Sequence, residues 1–137
     1  MDLKSDDVLK HVAPGLKKLG FDVESSKHRD GKISVPVLLG EQGAVEKSFE
    51  ADAFHPGSSR DDGFVLEVEA GRGFVNNQFL KDLFQACVMQ DVAYLAIAVR
   101  QDYRGSNNYE SILRYFETLY ASDRLVLPLR ALLLIGY

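Results

Sequence analysis

The sequence predicts an α/β fold in which helices flank a mixed central β-sheet, with the element order α-β-β-β-α-β-α-β. Two observations lead to this prediction. Strand-like runs at residues 33–39, 48–54 and 64–70 follow one another, and the turn-rich segment HPGSSRDDG between the last two indicates a hairpin. An amphipathic helix at residues 76–90 then precedes a continuous apolar run at residues 93–99, which is typical of a buried strand parallel to its neighbours.

The remaining predicted elements surround this unit. They are a helix that ends at Gly20, a short strand at residues 21–24, a helix at residues 108–121 and a strand at residues 131–135. Ser5, followed by two acidic residues, indicates the N-cap of the first helix. Because Pro14 lies inside that helix, we expect a kink or a division there. Pro36 indicates that the first long strand is an edge strand or contains a bulge.

Length and composition fit one domain spanning residues 1–137, since 46% of the residues are hydrophobic and 26% are charged. The charged N-terminal stretch is not typical of a signal peptide, and the apolar runs are too short to cross a bilayer. We therefore expect a cytoplasmic protein with no membrane partner. A single cysteine, Cys87, excludes an internal disulfide and a cysteine-rich zinc site, and three scattered histidines disfavour a zinc enzyme.

The net charge of −4 weighs mildly against nonspecific binding to nucleic acid, because that affinity comes mainly from Lys and Arg at phosphates. Basic residues nevertheless cluster locally, between Lys27 and Lys32 and again at Arg100 and Arg104. Such a cluster is either a phosphate-binding surface or a solvated loop, and composition does not distinguish the two.

Acidic residues dominate the predicted hairpin. If its strands pair symmetrically about the turn, Asp52 stands opposite Glu67 and Glu50 stands opposite Glu69, with all four side chains on one face. The reverse face is apolar and consists of Phe49, Ala51, Ala53, Phe64, Leu66 and Val68. A one-residue slip would move acids onto that apolar face, so the pattern favours this pairing.

Like charges directly opposite one another on a hairpin destabilise it, by roughly 0.2–1 kcal/mol per pair. A hard divalent cation such as Mg²⁺ removes that penalty, because it takes oxygen ligands from carboxylates, water and phosphate. The pattern therefore favours a metal site. The alternative is a solvated acidic face whose members form ion pairs with Arg60, Arg72 or Lys81.

Asp52 is followed along the chain by a hairpin turn, by Glu67-Val68-Glu69, by a helix and by an apolar strand. This order resembles the core of the PD-(D/E)XK nuclease superfamily over roughly residues 1–100. The resemblance is specific in topology and weak in motif. It implies a restriction-endonuclease-like fold that binds Mg²⁺ or Mn²⁺ through Asp52, Glu67 and the backbone carbonyl of Val68. It also implies hydrolysis of phosphodiester bonds by a metal-bound water.

Two departures from the family pattern bear on activity. No proline precedes Asp52, and Glu69 occupies the usual lysine position. The BamHI-type branch of restriction endonucleases resembles this chain in having Glu-X-Glu there. Other members place the lysine on the following helix, where Lys81 lies here. Many members also have an acid in the first helix, for which Asp6, Asp7 or Glu24 are the candidates.

The resemblance also implies roles for individual side chains. Glu69 would position or deprotonate the attacking water, and Lys81 or Arg72 would neutralise charge that develops on the phosphate. Asn77, next to Asn76, lies at the expected start of the helix, where backbone N–H groups suit an anion; helix capping is the alternative explanation.

Three hypotheses follow. The chain is a Mg²⁺-dependent endonuclease-like protein acting on nucleic acid, DNA rather than RNA, in DNA processing or defence. Alternatively, it keeps the nuclease fold without catalysis and binds nucleic acid or a protein. In the third hypothesis the carboxylates are a surface accident on an unrelated module. Because 137 residues leave no room for a separate DNA-reading domain, sequence-specific cutting would need a homodimer or a partner, with the aromatic helix at residues 109–120 as a candidate interface.

Overall fold

The computed structural model describes residues 4–26, 31–70 and 77–137. Three α-helices and nine β-strands lie within these ranges. In chain order they are α1 (Ser5–Lys18), β1 (Asp22–Val23), β2 (Ile33–Leu39), β3 (Val45–Ala51), β4 (Ala53–His55), β5 (Gly63–Glu69), α2 (Gln78–Val88), β6 (Val92–Val99), β7 (Asp102–Tyr103), β8 (Ser106–Asn107), α3 (Asn108–Ala121) and β9 (Ala131–Gly136).

Five strands form the central sheet, in the order β1-β4-β5-β6-β9. β4 and β5 pair antiparallel, while β5, β6 and β9 run parallel. The parallel pairs are joined through α2 and α3, because parallel strands need a crossover connection. The prediction of an α/β fold with a mixed sheet and flanking helices is confirmed. No helix in the described part of the chain is long and apolar enough to span a membrane.

Each face of the sheet packs against helices. On one face, α2 and α3 cover Val65 of β5 and alternate residues of β6, with Phe79 of α2 and Ile112 of α3 fully enclosed. On the other face, α1 covers Leu66 and Val68 of β5. Burial of β5 on both faces explains why its sequence is apolar from Phe64 to Val68 except at Glu67.

The predicted strand at residues 48–54 is divided. β3 pairs with β2 in a separate two-stranded sheet, whereas β4 joins the central sheet, and Asp52 forms a bend between them. The division moves Phe49 and Ala51 onto the α2 side while Ala53 packs under α1. A uniform alternation along residues 48–54 is therefore wrong, because a bend reverses the face to which later side chains point.

Other local predictions had mixed outcomes. The pairing of β2 with β3 shifts register after Pro36, which confirms the predicted irregularity. α1 runs through Pro14 without being divided, since its apolar residues Leu9 and Leu16 pack against the sheet. Its N-cap is Lys4 and not Ser5, and no side chain caps it. The short β7–β8 hairpin was not predicted.

Packing of α2 gives a direct stability test. Phe79 is fully buried and contacts the rings of Tyr115 and Phe116, whereas Phe84 on the same helix is 61% exposed. We expect Phe79→Ala to lower the free energy of unfolding by about 3–5 kcal/mol, and the control Phe84→Ala by about 0.5 kcal/mol or less. Urea denaturation measures both. Equal losses would contradict the assignment of Phe79 to the core.

Candidate functional site

Asp52 lies at the bend between β3 and β4, where backbone groups hold it in place. The pairing of Ala53 with Leu66 brings Asp52 beside Glu67, as predicted, although Asp52 itself is not within a strand. Its Oδ2 accepts a hydrogen bond from the Val68 N–H at 2.8 Å, and its carbonyl accepts one from the Glu24 N–H at 2.8 Å. The carboxylate is therefore positioned by the main chain on either side.

Glu67 and Glu69 alternate along β5 with residues packed under α1, so their side chains point toward α2. Glu67 is only 8% exposed although it carries a carboxyl group. Burying a carboxyl group costs free energy unless neighbouring groups compensate it, so the groups around Glu67 determine its state. Those neighbours are the side chains of Asp52 and Asp82.

Asp82 of α2 is the site residue that sequence reasoning missed. It is 4% exposed, its Oδ1 accepts a hydrogen bond from Gln78 Nε2 at 3.3 Å, and its Oδ2 has no hydrogen-bond partner within the described residues. A signal was present in the sequence: Asp82 lies three residues after Phe79 and one before Leu83, inside the apolar stripe of an amphipathic helix. A charge in that stripe must have a buried neighbour or a function.

Together these residues line an open cleft of about 500 Å³ between β3, the bend at Asp52, the end of β5, and α2. Its acidic members are Glu24, Glu50, Asp52, Glu67, Glu69 and Asp82, and its basic members are Lys32 and Lys81. Val68 also lines it, as the metal-site prediction requires. Thus Asp52, Glu67, Val68, Glu69 and Lys81, all predicted to act together, share one cleft.

Glu50 does not stand opposite Glu69, which corrects the symmetric hairpin. It lies in β3 opposite Ser34 of β2, and its carboxylate is 2.6 Å from the Lys32 ammonium group. The bend at Asp52 takes β3 away from β5, so the predicted pairing cannot extend past it. Glu50 remains on the cleft wall, but as half of an exposed ion pair.

The other candidates divide between the cleft and the rest of the chain. Glu24 lines the cleft, whereas Asp6 and Asp7 are not among its described lining residues. Asn77 is the N-cap of α2, but its side chain makes no capping hydrogen bond and, within the described part of the chain, it does not line the cleft. Arg72, Asn76 and the basic residues Lys27 to Arg29 lie outside the described residues.

Crowding of the carboxyl groups changes their acidity. Burial, followed by the charges of Asp52 and Asp82, holds the pKa of Glu67 well above its usual value. Burial and a hydrogen bond with Asp82 raise the pKa of Glu69 to about 9. Burial also raises the pKa of Asp82, although hydrogen bonds from Glu69 and Gln78 oppose that effect. Lys81 lowers the pKa of both Glu69 and Asp82.

The donor set fits a hard cation better than a soft one, because every candidate ligand is an oxygen atom and Asp82 Oδ2 has no partner. Within the described ranges, however, no three His, Cys, Asp or Glu side chains already stand in a metal-binding arrangement. The carboxyl groups instead contact one another as Asp52 with Glu67 and Glu69 with Asp82. Protons hold such pairs together unless a cation replaces them.

Comparison of the chain with protein-family models, curated proteins and solved structures gave no match. The chemistry of the cleft is therefore assigned from its own residues. The features that bear on the assignment are the two touching carboxyl pairs, their burial, and Lys81 at the edge of the cleft.

The raised pKa of Glu69 predicts how stability depends on pH when metal is chelated. The folded protein holds the proton up to about pH 9, whereas the unfolded chain releases it near 4.5. Because the folded state binds more protons between these values, we expect the free energy of unfolding to fall as pH rises from 5 to 9. Urea denaturation at several pH values in EDTA measures this dependence.

Glu69→Gln is the matched variant, since the amide resembles the protonated acid and cannot ionise. We expect a shallower decline in stability with pH for this variant, and greater stability than wild type at pH 9. The remaining slope would come from Glu67 and Asp82. Identical pH profiles for the two proteins would contradict the raised pKa of Glu69.

Proposed function

We propose that the chain is a divalent-cation-dependent nuclease with a restriction-endonuclease-like, PD-(D/E)XK fold, hydrolysing phosphodiester bonds in nucleic acid, with DNA as the first substrate to test. The observation that carries the proposal is the convergence of Asp52, Glu67, Glu69 and Asp82 in one cleft. The order of an antiparallel hairpin, a helix and a parallel strand around that cleft supports it further.

Energetics supports a cation in this cleft. Four carboxyl groups placed together, two of them buried, can all be ionised only if positive charge compensates them. Lys81 is one cation at the cleft, but its side chain is exposed and cannot compensate four acids. We therefore infer that Mg²⁺ or Mn²⁺ is taken up with release of protons from the carboxyl pairs.

The candidate ligands are Asp52, Glu67 and the carbonyl of Val68, with Glu24 at the other side of Asp52. A bound Mg²⁺ supplies a water of lowered pKa and offsets negative charge on the phosphate. Asp52 is suited to ligation because the Val68 N–H fixes the position of its carboxylate.

The remaining side chains act on water and phosphate. Glu69, once ionised, accepts a proton from the attacking water, and Asp82 positions Glu69 through their hydrogen bond. Lys81, one helical residue before Asp82, neutralises charge on the phosphate oxygens. Glu69 thus takes the place that lysine has in most of the family.

A second candidate function is a nuclease fold that binds nucleic acid or protein without catalysis. Glu69 favours it, because the commoner lysine is absent from that position. The net charge of −4 also limits affinity for a polyanion. Cleavage and metal binding separate the two candidates.

Metal binding is the first test. Titration calorimetry with Mn²⁺ should show binding that weakens by about 100-fold in Asp52→Asn and Glu67→Gln, because loss of outer-shell partners alone costs about 10–100-fold. Glu50→Gln is the matched control: it removes an acid from the same cleft that already pairs with Lys32, so we expect near-wild-type affinity. Wild-type affinity in all three variants would mean that the acids are only a charged surface.

Cleavage is the second test. Purified protein is incubated with plasmid, linear and single-stranded DNA and with RNA in Mg²⁺ or Mn²⁺. We expect Asp52→Ala and Glu67→Ala to abolish cleavage, and Asp82→Asn to lower kcat with a smaller effect on metal affinity. Cleavage that survives Asp52→Ala would identify a contaminant or another site. No cleavage of any substrate by wild type would favour the binding module.

Glu69→Lys restores the commoner family pattern and is the informative companion. If Glu69 handles the attacking water, this variant loses activity or changes its metal preference. A gain of activity from an inactive wild type would instead show that Glu69 is a degenerate position. Because the substitution also alters charge repulsion in the cleft, its unfolding free energy is measured alongside.

A further inference from the structure

A basic and aromatic cluster lies on the segment that follows β6. The guanidinium groups of Arg100 and Arg104 lie over the ring of Tyr103, with their central carbons 6.0 Å and 5.2 Å from its centroid. Both distances are within the range of cation–π contacts, which hold a guanidinium group in place without removing its charge. The segment also carries one acid, Asp102, so its net charge remains positive.

Backbone hydrogen bonds fix this segment at the edge of the sheet where β5 ends. Val99, the residue before Arg100, is paired with Glu69 of the adjacent parallel strand. The Gln101 N–H donates to the carbonyl of Tyr137, and the Tyr137 N–H donates to the carbonyl of Val99. The cluster therefore begins about one strand spacing, some 4.8 Å, from the end of the strand that carries Glu67 and Glu69.

The side chain of Tyr137 connects the two regions. Its hydroxyl donates a hydrogen bond to the Glu69 carbonyl at 2.8 Å. Burial raises the pKa of this phenol, while the charge of Arg100 lowers it and that of Glu69 raises it. Tyr137 thus lies close both to Arg100 and to Glu69, and Glu69 lines the cleft although residues 100–104 are not among its described lining residues.

We propose that Arg100, Tyr103 and Arg104 form a contact surface for the phosphate backbone of a nucleic-acid strand that enters the cleft. This proposal rests on the proposed nuclease function for the identity of the polymer. Guanidinium groups bind phosphate through paired hydrogen bonds, and contacts of this kind position a strand without reading its sequence.

The neighbouring cleft distinguishes a nucleic acid from an acidic polypeptide. An acidic polypeptide that reaches Arg100 would bring further carboxylates against Glu67, Glu69 and Asp82. A nucleic acid instead brings phosphate oxygens, which share a divalent cation with protein carboxylates. The juxtaposition of basic cluster and acidic cleft therefore favours the nucleic acid.

The test measures binding separately from cleavage. In the Asp52→Asn background, fluorescence anisotropy follows labelled single- and double-stranded DNA of mixed sequence over a range of salt concentrations. For the duplex, adding Arg100→Ala and Arg104→Ala together should weaken binding. It should also reduce the steepness of log K plotted against log salt concentration by about 1.8, since each phosphate contact contributes about 0.9. Arg100→Lys with Arg104→Lys keeps the charge and should keep most of the slope.

Arg60→Ala with Arg124→Ala is the matched control. It removes the same charge from exposed positions remote from the cluster: Arg60 contacts Asp91 just before β6, and Arg124 follows the far end of α3. We expect its DNA binding to stay close to that of its parent. Circular dichroism confirms that each variant is folded.

The outcomes separate this surface from the proposed function. An unchanged salt slope after loss of Arg100 and Arg104, or an equal change in the control pair, overturns the proposed surface. The proposed surface is also overturned if polyglutamate displaces labelled DNA as effectively as unlabelled DNA does. That result would favour an acidic polypeptide as the occupant. Binding that depends on the cluster, in a wild-type protein that cleaves no substrate, supports the surface and overturns the nuclease.

Discussion

β5 lies between an antiparallel and a parallel neighbour, and this position fixes the geometry of both the core and the cleft. β4 fixes its register on one side through the pairing of Ala53 with Leu66, and β6 fixes it on the other. Because apolar residues of β5 are buried on both faces, the strand cannot slip without exposing them. Glu67 is consequently held in a buried position that a carboxyl group would not take by itself.

Burial of Glu67 sets the chemistry of the cleft. Asp52 is brought against it by the bend after β3, and Asp82 is brought toward Glu69 by the packing of Phe79 and Leu83 on the sheet. The free energy that keeps these acids together comes from the apolar core and not from the acids. The site is thus held in a state that favours the binding of protons or cations, and either would relieve the repulsion.

The predicted hairpin shows where sequence reasoning succeeded and where it failed. Alternation along β5 correctly put Glu67 and Glu69 on one face, because both faces of that strand are packed and the pattern is unambiguous. The same reasoning failed for Glu50, because the amino-acid sequence of β3 does not indicate the bend at Asp52 or the separate sheet that β3 forms with β2. Asp82 was missed because it lies on a helix, and strand alternation does not relate a helical residue to Glu69 on β5.

Hydrophobic periodicity and turn residues act over short stretches of chain, so the amino-acid sequence was enough to predict the class of fold, the mixed sheet and the grouping of Asp52 with Glu67. The folded structure was needed to find that Asp82 joins the acids, that Glu50 pairs with Lys32, and that Arg100 lies beside the end of β5. Those relations arise where separate elements meet, and the geometry of such contacts is set by packing of the whole core.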